Sequence, residues 1–307
     1  MRIRYSTCVL LWIAMAAYAV GGDAIKYKKP VKLSELENDD ITESSGLAAS
    51  NFSNDRFWTH NDSGGKSRLY CFGRNGKHLG TCKVGNVKSK DWEDMASATI
   101  GGKPYLIVGD VGDNRRVRDD CMIYFIVEAP DPKADVKVRC KFAFSYAGGP
   151  VDCEGLAYDP ITRSILLTEK TRLGSFSRGR VYEIALPIDE IILGKQARRA
   201  RKLLAKPIGS TAVPTVTAMD ISRNGRFLVI GSYLESMLYE RKPDQKWADV
   251  LKRGGKIVHM PTRRQGETIC FSRNGYDLFA TSEKRPTPFY EIKFDATKTG
   301  VNQRTFR

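Results

Sequence analysis

Carboxylates recur at matched points along this 307-residue chain. Asp91 and Glu93 stand in D-W-E-D-M-A-S, and Asp152 and Glu154 in D-C-E-G-L-A-Y-D. Gln265 and Glu267 stand in Q-G-E-T-I-C-F-S. Glu43 with Ser45 in E-S-S-G-L-A-A-S, and Thr215 with Thr217 in T-V-T-A-M-D-I-S, occupy the corresponding places. Side chains two apart on a strand share a face. If the five strings are strands around one axis, Glu43, Asp91, Asp152, Thr215 and Gln265 form one polar ring. Ser45, Glu93, Glu154, Thr217 and Glu267 form a second. Acids crowded into a confined site either keep protons or take up a cation. Oxygen-only donors select a hard cation, Ca2+ before Mg2+. Glu43, Asp91, Glu93, Asp152, Glu154 and Glu267 are therefore the candidate metal ligands. The alternative is that these groups hydrogen-bond one another and channel water.

Two further strings fall at equivalent places downstream of the first two acids: H-N-D-S-G (60–64) and G-D-V-G-D-N (109–114). They supply oxygen donors at Asn61, Asp62, Asp110, Asp113 and Asn114, with Glu283 at a later repeat. His60, Asp62 and Asp113 are the candidate catalytic residues. A histidine within hydrogen-bond reach of a substrate serves as general acid or base, whereas one at a strand end also serves as a plain hydrogen-bonded structural group. Lys170 and Lys284 follow Glu169 and Glu283 in T-E-K and S-E-K, either pairing with the acids or gripping an anion. No G-x-S-x-G elbow is present. With no C-x-x-C and only three histidines, the sequence argues against structural zinc.

The elements that would position these residues repeat. After each acidic string comes a second apolar run (R-F-W-T-H-N, Y-L-I-V-G-D, S-I-L-L-T-E, F-L-V-I-G-S, L-F-A-T-S-E) and then a third. Each third run carries a tyrosine: Tyr70, Tyr124, Tyr182, Tyr239 and Tyr290. Turns such as S-R-N-G-R supply the Asn and Gly that tight reversals need. Ser45, Glu93, Glu154, Thr217 and Glu267 are 48, 61, 63 and 50 residues apart, the period of a four-stranded propeller blade with its loops. The expected fold is all-β, a β-propeller of five blades with residues 25–33 completing the last. Six blades, the extra one within 191–214, and a β-sandwich are the alternatives.

The N-terminus has the layout of a secretory signal peptide over residues 1–24. Arg2 and Arg4 precede an apolar stretch of 13 residues at 8–20, and cleavage fits after Ala19 or Ala24. Thirteen residues are too few to span a bilayer as a helix. A single propeller domain over 25–307 is expected, monomeric and without a membrane span, in a secreted or periplasmic setting. A retained N-terminal anchor is the alternative. Composition is that of a globular chain, 41% hydrophobic and 28% charged. The charge of +15 becomes +13 once Arg2 and Arg4 leave. No aromatic-interleaved basic helix accompanies it, which argues against a dedicated nucleic-acid binder and for tolerance of anionic small molecules or polymers. Six cysteines stay after the leader. Cys71 with Cys82, and Cys121 with Cys140, flank hairpin-like stretches and are expected as disulfides in an oxidising compartment. Whether Cys153 and Cys270 pair is left open.

Taken as a set, E-S-S-G-L with H-N-D-S-G, D-W-E-D-M-A with G-D-V-G-D-N, and D-C-E-G-L-A-Y-D with T-E-K resemble a family of secreted bacterial propeller proteins, over most of residues 40–285. More distantly the layout resembles secreted calcium-dependent propellers of the apyrase, phytase and gluconolactonase types. That resemblance implies a cation at the channel polarising a phosphate or ester oxygen, a Lewis-acid role. It assigns Glu93, Glu154 and Glu267 as ligands, although Thr217 replaces an acid in the fourth repeat. A Ca2+-binding hydrolase of phosphoesters or related esters is the leading expectation. The alternatives are a metal-independent glycosidase with paired carboxylates, with Trp58 or Trp92 as sugar platforms, and a non-enzymatic binding or scaffolding module.

Overall fold

Short runs rich in Val, Ile, Phe and Tyr, closed by turns, form strands in hairpin succession, as that patterning requires. The computed structural model describes residues 26–62, 66–87, 89–172, 177–194 and 202–296. The leader expected over 1–24 lies outside the described residues.

The chain begins with β1 (Val31–Glu35) and then runs through antiparallel meanders. The first comprises β2 (Ser44–Ala49), β3 (Arg56–Asn61), β4 (Arg68–Gly73) and β5 (His78–Gly85). The second comprises β6 (Trp92–Ile100), β7 (Lys103–Asp110), β8 (Cys121–Val127) and β9 (Val136–Tyr146). The third has β10 (Cys153–Asp159), β11 (Ser164–Glu169) and β12 (Gly179–Ala185). Helix α1 (Ile188–Leu193) follows, and β13 (Leu203–Thr211) then pairs antiparallel with β12. The fourth has β14 (Val216–Ile221), β15 (Phe227–Ser232) and β16 (Glu235–Glu240), then α2 (Trp247–Arg253) and β17 (Lys256–His259). The last has β18 (Cys270–Phe271), β19 (Leu278–Ala280) and β20 (Pro288–Ile292), with β1 as its fourth strand. Parallel pairing of β9 with β5 and with β13 joins the first three meanders into one 12-stranded sheet. The protein is all-β, with two short helices among the described residues.

The core is divided among the interfaces between successive meanders. Trp58 and Leu69 meet Met95 and Val108; Ile107 and Phe125 meet Leu156 and Leu167. Leu166 and Val181 meet Met219 and Ile230; Val229 meets Phe271 and Leu278; Phe279 and Phe289 return to Leu47 and Phe57 of the first. The first strands follow the same circuit: β2 lies beside β6, β6 beside β10, β10 beside β14, β14 beside β18, and β18 beside β2. Side-chain hydrogen bonds stitch them together. Ser45 Oγ donates to the Glu93 carbonyl at 2.7 Å, Thr217 Oγ1 to the Gly266 carbonyl at 2.7 Å, and the Ser44 and Thr281 hydroxyls meet at 2.7 Å. Fully buried Asp94 accepts from the amides of Met95 (2.8 Å), Leu156 (2.9 Å) and Met219 (3.0 Å), tying β6 to β10 and β14.

The expected disulfides are not formed. All six cysteines from Cys71 to Cys270 are free and buried. The ladder register explains this: Cys71 stands opposite Gly80 and Cys82 opposite Leu69, while Cys121 faces Phe144 and Cys140 faces Phe125. Burial pushes the Cys82, Cys121 and Cys140 thiols up to about 12, which removes the reactive thiolate. Native protein is therefore expected to resist alkylation by iodoacetamide, and denatured, unreduced mature protein to take up label at all six positions by mass spectrometry. Protein that takes up two, four or six labels fewer would show one, two or three disulfides.

Candidate functional site

The acidic residues of the first strands sit at irregularities in the ladder. In β2 the register runs from Ser44 to Gly46, in β10 from Cys153 to Gly155 and in β14 from Val216 to Ala218, leaving Ser45, Glu154 and Thr217 as the extra residues. In β6 it shifts between Trp92 and Met95, where Glu93 lies. Bulges of this kind leave a residue unpaired and re-aim its side chain, and they concentrate next to functional sites. In four of the five meanders the end of the second strand is clamped to the residue two before Ser45, Glu93, Glu154 or Glu267. Asp62 N donates to Glu43 O (3.0 Å), Val111 N to Asp91 O (3.0 Å), Lys170 N to Asp152 O (2.8 Å) and Glu283 N to Gln265 O (2.9 Å). Asp62, Val111, Lys170 and Glu283 are thus structural equivalents; Asp62, Lys170 and Glu283 act on the same acids, while Val111 packs into the hydrophobic core.

At the first two meanders, ligand oxygens of Asp62, Asp91 and Glu93 all lie within 4.8 Å of one another. Gly112 passes so close to Glu93 Oε1 and Asp91 Oδ2 that a Cβ there would collide with both. Backbone approach of this closeness needs glycine. On the other side, Lys170 Nζ bonds Glu154 Oε1 at 3.0 Å and lies 5.4 Å from the centre of the Tyr233 ring. Tyr233 also acts on the charges of Glu267 and Lys170, and Gln265 Nε2 donates to Glu267 Oε1 at 3.0 Å.

Glu93, Glu154 and Glu267 are each only 4% exposed, so water does little to screen them from one another. Burial, and then Glu154, Asp62 and Asp91, hold the Glu93 carboxyl well above the usual range. Burial likewise raises Glu154, although Lys170 opposes it, and raises Glu267 and Asp152. Glu283 is pushed up to about 7 by burial and by the charges of Glu267 and Asp62. Lys170 is desolvated, yet the carboxylates of Glu154 and Glu267 hold its ammonium charged. The Lys170 charge sits on the Glu154–Glu267 side, and Asp62, Asp91 and Glu93 crowd together at the other corner.

The structure thus brings Asp62, Asp91, Glu93, Asp152, Glu154 and Glu267 to one acidic cup, with Glu43 near Glu283 at its edge. Ser45 and Thr217 spend their hydroxyls on neighbouring strands. Asp113 lies beside Asp152, donating its amide to Oδ1 at 3.4 Å while its carboxylate accepts from Arg118 N at 2.6 Å. His60 is fully buried, edge-on to Trp92, with Nδ1 3.0 Å from the Asn61 carbonyl and Nε2 packed over Gly46. Burial lowers it to about 4, so it is neutral. In H-N-D-S-G, Asp62 reaches the cup; Ser63 and Gly64 lie outside the described residues. Three contributors have no counterpart in the sequence reading: Tyr233, Gly112 and Asp94. Tyr233 follows Ser232 at the strand end equivalent to Lys170, and aligning the second strands by their last residue would have found it.

No protein-family model matches the chain, and no curated protein matches it. Among solved structures, the hydrazine synthase of Kuenenia stuttgartiensis is similar over 82% of this chain and 72% of that one, at 13% identity and a TM-score of 0.40. Raptor of Chaetomium thermophilum is similar over 84% of this chain, at 10% identity and a TM-score of 0.40, and the match spans 20% of Raptor's length.

Proposed function

We propose that the chain is an exported, monomeric five-bladed β-propeller that binds a divalent cation, Ca2+, in its acidic cup and acts on a phosphoester or related anionic ester. The propeller reading is supported by the circuit of first strands from β2 through β18 back to β2, and by a core shared between each meander and the next. One observation carries the cation: three carboxylates converge at Asp62, Asp91 and Glu93, with the Gly112 backbone pressed against two of them. The donor set is all oxygen and anionic, as a hard cation requires. A bound cation there would supply Lewis-acid polarisation of a phosphoryl or acyl oxygen. Lys170, fixed by Glu154 and Tyr233, would orient the anionic end of the substrate from the opposite side. Trp58 and Trp92 are fully buried, so neither offers the sugar platform that a glycosidase would want.

The test is chelation followed by Ca2+ titration, read by melting temperature. A ligand held only by the folded state at 100 times its Kd stabilises by about 2.7 kcal/mol, roughly 5–11 °C for a domain of this size. Glu93→Gln should abolish the response without lowering the starting melting temperature, because it removes a buried charge. No saturable rise with Ca2+, Mg2+ or Mn2+ would overturn the cation reading and leave a binding module. A rise without turnover of phosphoester or lactone substrates would remove only the hydrolase.

A further inference from the structure

The far end of the first strands carries a second charged feature, of opposite sign. Two S-R-N-G turns follow β14 and β18: residues 222–225 and 272–275. Their internal bonding is the same. Gly225 N and Gly275 N donate to the carbonyls of Ser222 (2.7 Å) and Ser272 (2.8 Å). The serine hydroxyls donate to Asn224 Oδ1 (2.7 Å) and Asn274 Oδ1 (2.5 Å), and accept from the amides of Phe227 (2.9 Å) and Asp277 (3.1 Å). Both glycines take the left-handed conformation, φ 69° and 82°, that such turns reserve for glycine. Each turn is therefore a fixed backbone mount for the arginine at its second position.

The mounts touch. A Cβ on Gly275 would lie 3.5 Å from Ser222 Cβ and 3.6 Å from Arg223 N. From there Arg223 extends to the end of β2, where Nη2 donates to the Ser50 carbonyl at 3.3 Å, so its guanidinium reaches from the fourth meander to the first. Arg273 belongs to the meander between them, and its charge acts directly on Arg223. Among the described residues neither arginine forms an ion pair. The acids nearest Arg223 are Asp220 and Glu128, and both are occupied. Asp220 accepts from the amides of Ile221 and Phe271, each at 2.8 Å. Glu128 accepts from Ser50 Oγ (2.5 Å), Asn51 N (2.8 Å), Asn51 Nδ2 (2.8 Å) and Trp58 Nε1 (2.8 Å). Burial and the Arg273 charge work against the Arg223 cation, and Asp220 and Glu128, each engaged by other donors, oppose them only in part; an anion between the two arginines would relieve the repulsion, and planar N–H forks match an edge of two anionic oxygens.

We propose that Arg223 and Arg273 form an anion site at the end of the molecule opposite the acidic cup, taking an oxyanion with two oxygens on one edge, the chemistry shared by phosphates and carboxylates. The site is independent of the cation reading.

Calorimetric titration of the mature protein with inorganic phosphate, and separately with acetate, tests it. Both run in chelator, so that no cation can recruit phosphate to the cup, and at ionic strength matched with chloride. Saturable binding is expected, weakened at least tenfold in Arg273→Gln and in Arg223→Gln. Arg273 is exposed and holds no ion pair among the described residues, so its variant melts no lower than the wild type. Binding of phosphate alone would assign the site to phosphate groups, and binding of both to carboxylates as well. No saturable heat with either anion, or unchanged affinity in Arg273→Gln, would overturn the proposal.

Discussion

Asp159→Ala is expected to lower the melting temperature by roughly 6–20 °C, the largest effect of any single substitution argued for this protein. Asp159 ends β10 and is completely buried, as is nearly all of Arg241, which follows β16. The two form a fork of two bonds, Nη1 to Oδ2 at 2.6 Å and Nη2 to Oδ1 at 2.8 Å. Trp247 Nε1 adds a third bond to Oδ2 at 2.9 Å, and the Arg241 guanidinium lies 4.3 Å from the centre of the Trp247 ring. Burial would raise the Asp159 carboxyl, but the Arg241 bonds and the Ile161 amide overcome it and hold it below its ordinary value. Removing the carboxylate strands a buried guanidinium, which costs about 3–5 kcal/mol; each kcal/mol is roughly 2–4 °C for a domain of this size. Replacing both partners, as in Asp159→Leu with Arg241→Met, should recover most of the loss, because the penalty comes from an unpaired charge and not from a missing attraction. Differential scanning calorimetry of the two single variants and the double variant decides it. If the double variant melts no higher than Asp159→Ala, the loss comes from packing. The sign of the pH effect follows from the depressed carboxyl: this pair contributes in full above the ordinary aspartate range near pH 4 and is lost as pH falls below it.

The repeat and its acids were legible because both follow from residue type and period. Strings such as D-W-E-D-M-A-S and D-C-E-G-L-A-Y-D align on their glutamates, and the clamps from Asp62, Val111, Lys170 and Glu283 confirm that the aligned positions are structurally equivalent. Three things were not legible. T-E-K and S-E-K look alike, yet Glu283 corresponds to Lys170, one residue out of step. Glu169 turns instead to Arg180, at 2.9 Å. A shift of one residue on a strand moves a side chain to the opposite face, so string similarity misleads there. The bulges at Ser45, Glu154 and Thr217 were also invisible, since a bulge leaves no compositional mark when the inserted residue is not glycine. Cysteine spacing suggested disulfides because it reports proximity along the chain, whereas bonding depends on register across the ladder. His60 failed to reach the cup for a related reason. Strands alternate faces, so His60 and Asp62 point the same way only if the strand continues regularly, and it ends at Asn61.

Without a cation, the protein should be most stable near pH 5 and lose stability as pH rises to 8. The reason is the number of acids whose carboxyls are held high in the folded state. Glu93, Glu154, Glu267 and Asp152 are raised in the cup, Glu283 there and Asp220 between the strands reach about 7, and buried Asp94 is raised as well. A carboxyl with a raised folded pKa binds its proton more tightly in the fold than in the unfolded chain. Its contribution is therefore present in full below about pH 4 and is lost as pH climbs through the folded value, so the window is roughly pH 4 to 8. Asp159 has the opposite sign but acts only below that window. Each pKa unit of difference corresponds to about 1.4 kcal/mol, and a net loss on the order of 2 kcal/mol would lower the melting temperature by roughly 4–8 °C between pH 5 and pH 8. Ca2+ needs the carboxylates ionised and so displaces these protons. Added Ca2+ should restore most of the lost stability at pH 8 and do little at pH 5. Asp220→Asn separates the two sources of the slope: it should flatten the pH dependence while leaving the Ca2+ response intact, whereas Glu93→Gln should flatten the slope and abolish the Ca2+ response. A melting temperature independent of pH in chelator would show that the cup acids ionise freely. In that case the crowding at Asp62, Asp91 and Glu93 is relieved by solvent, and the demand for a cation disappears with it.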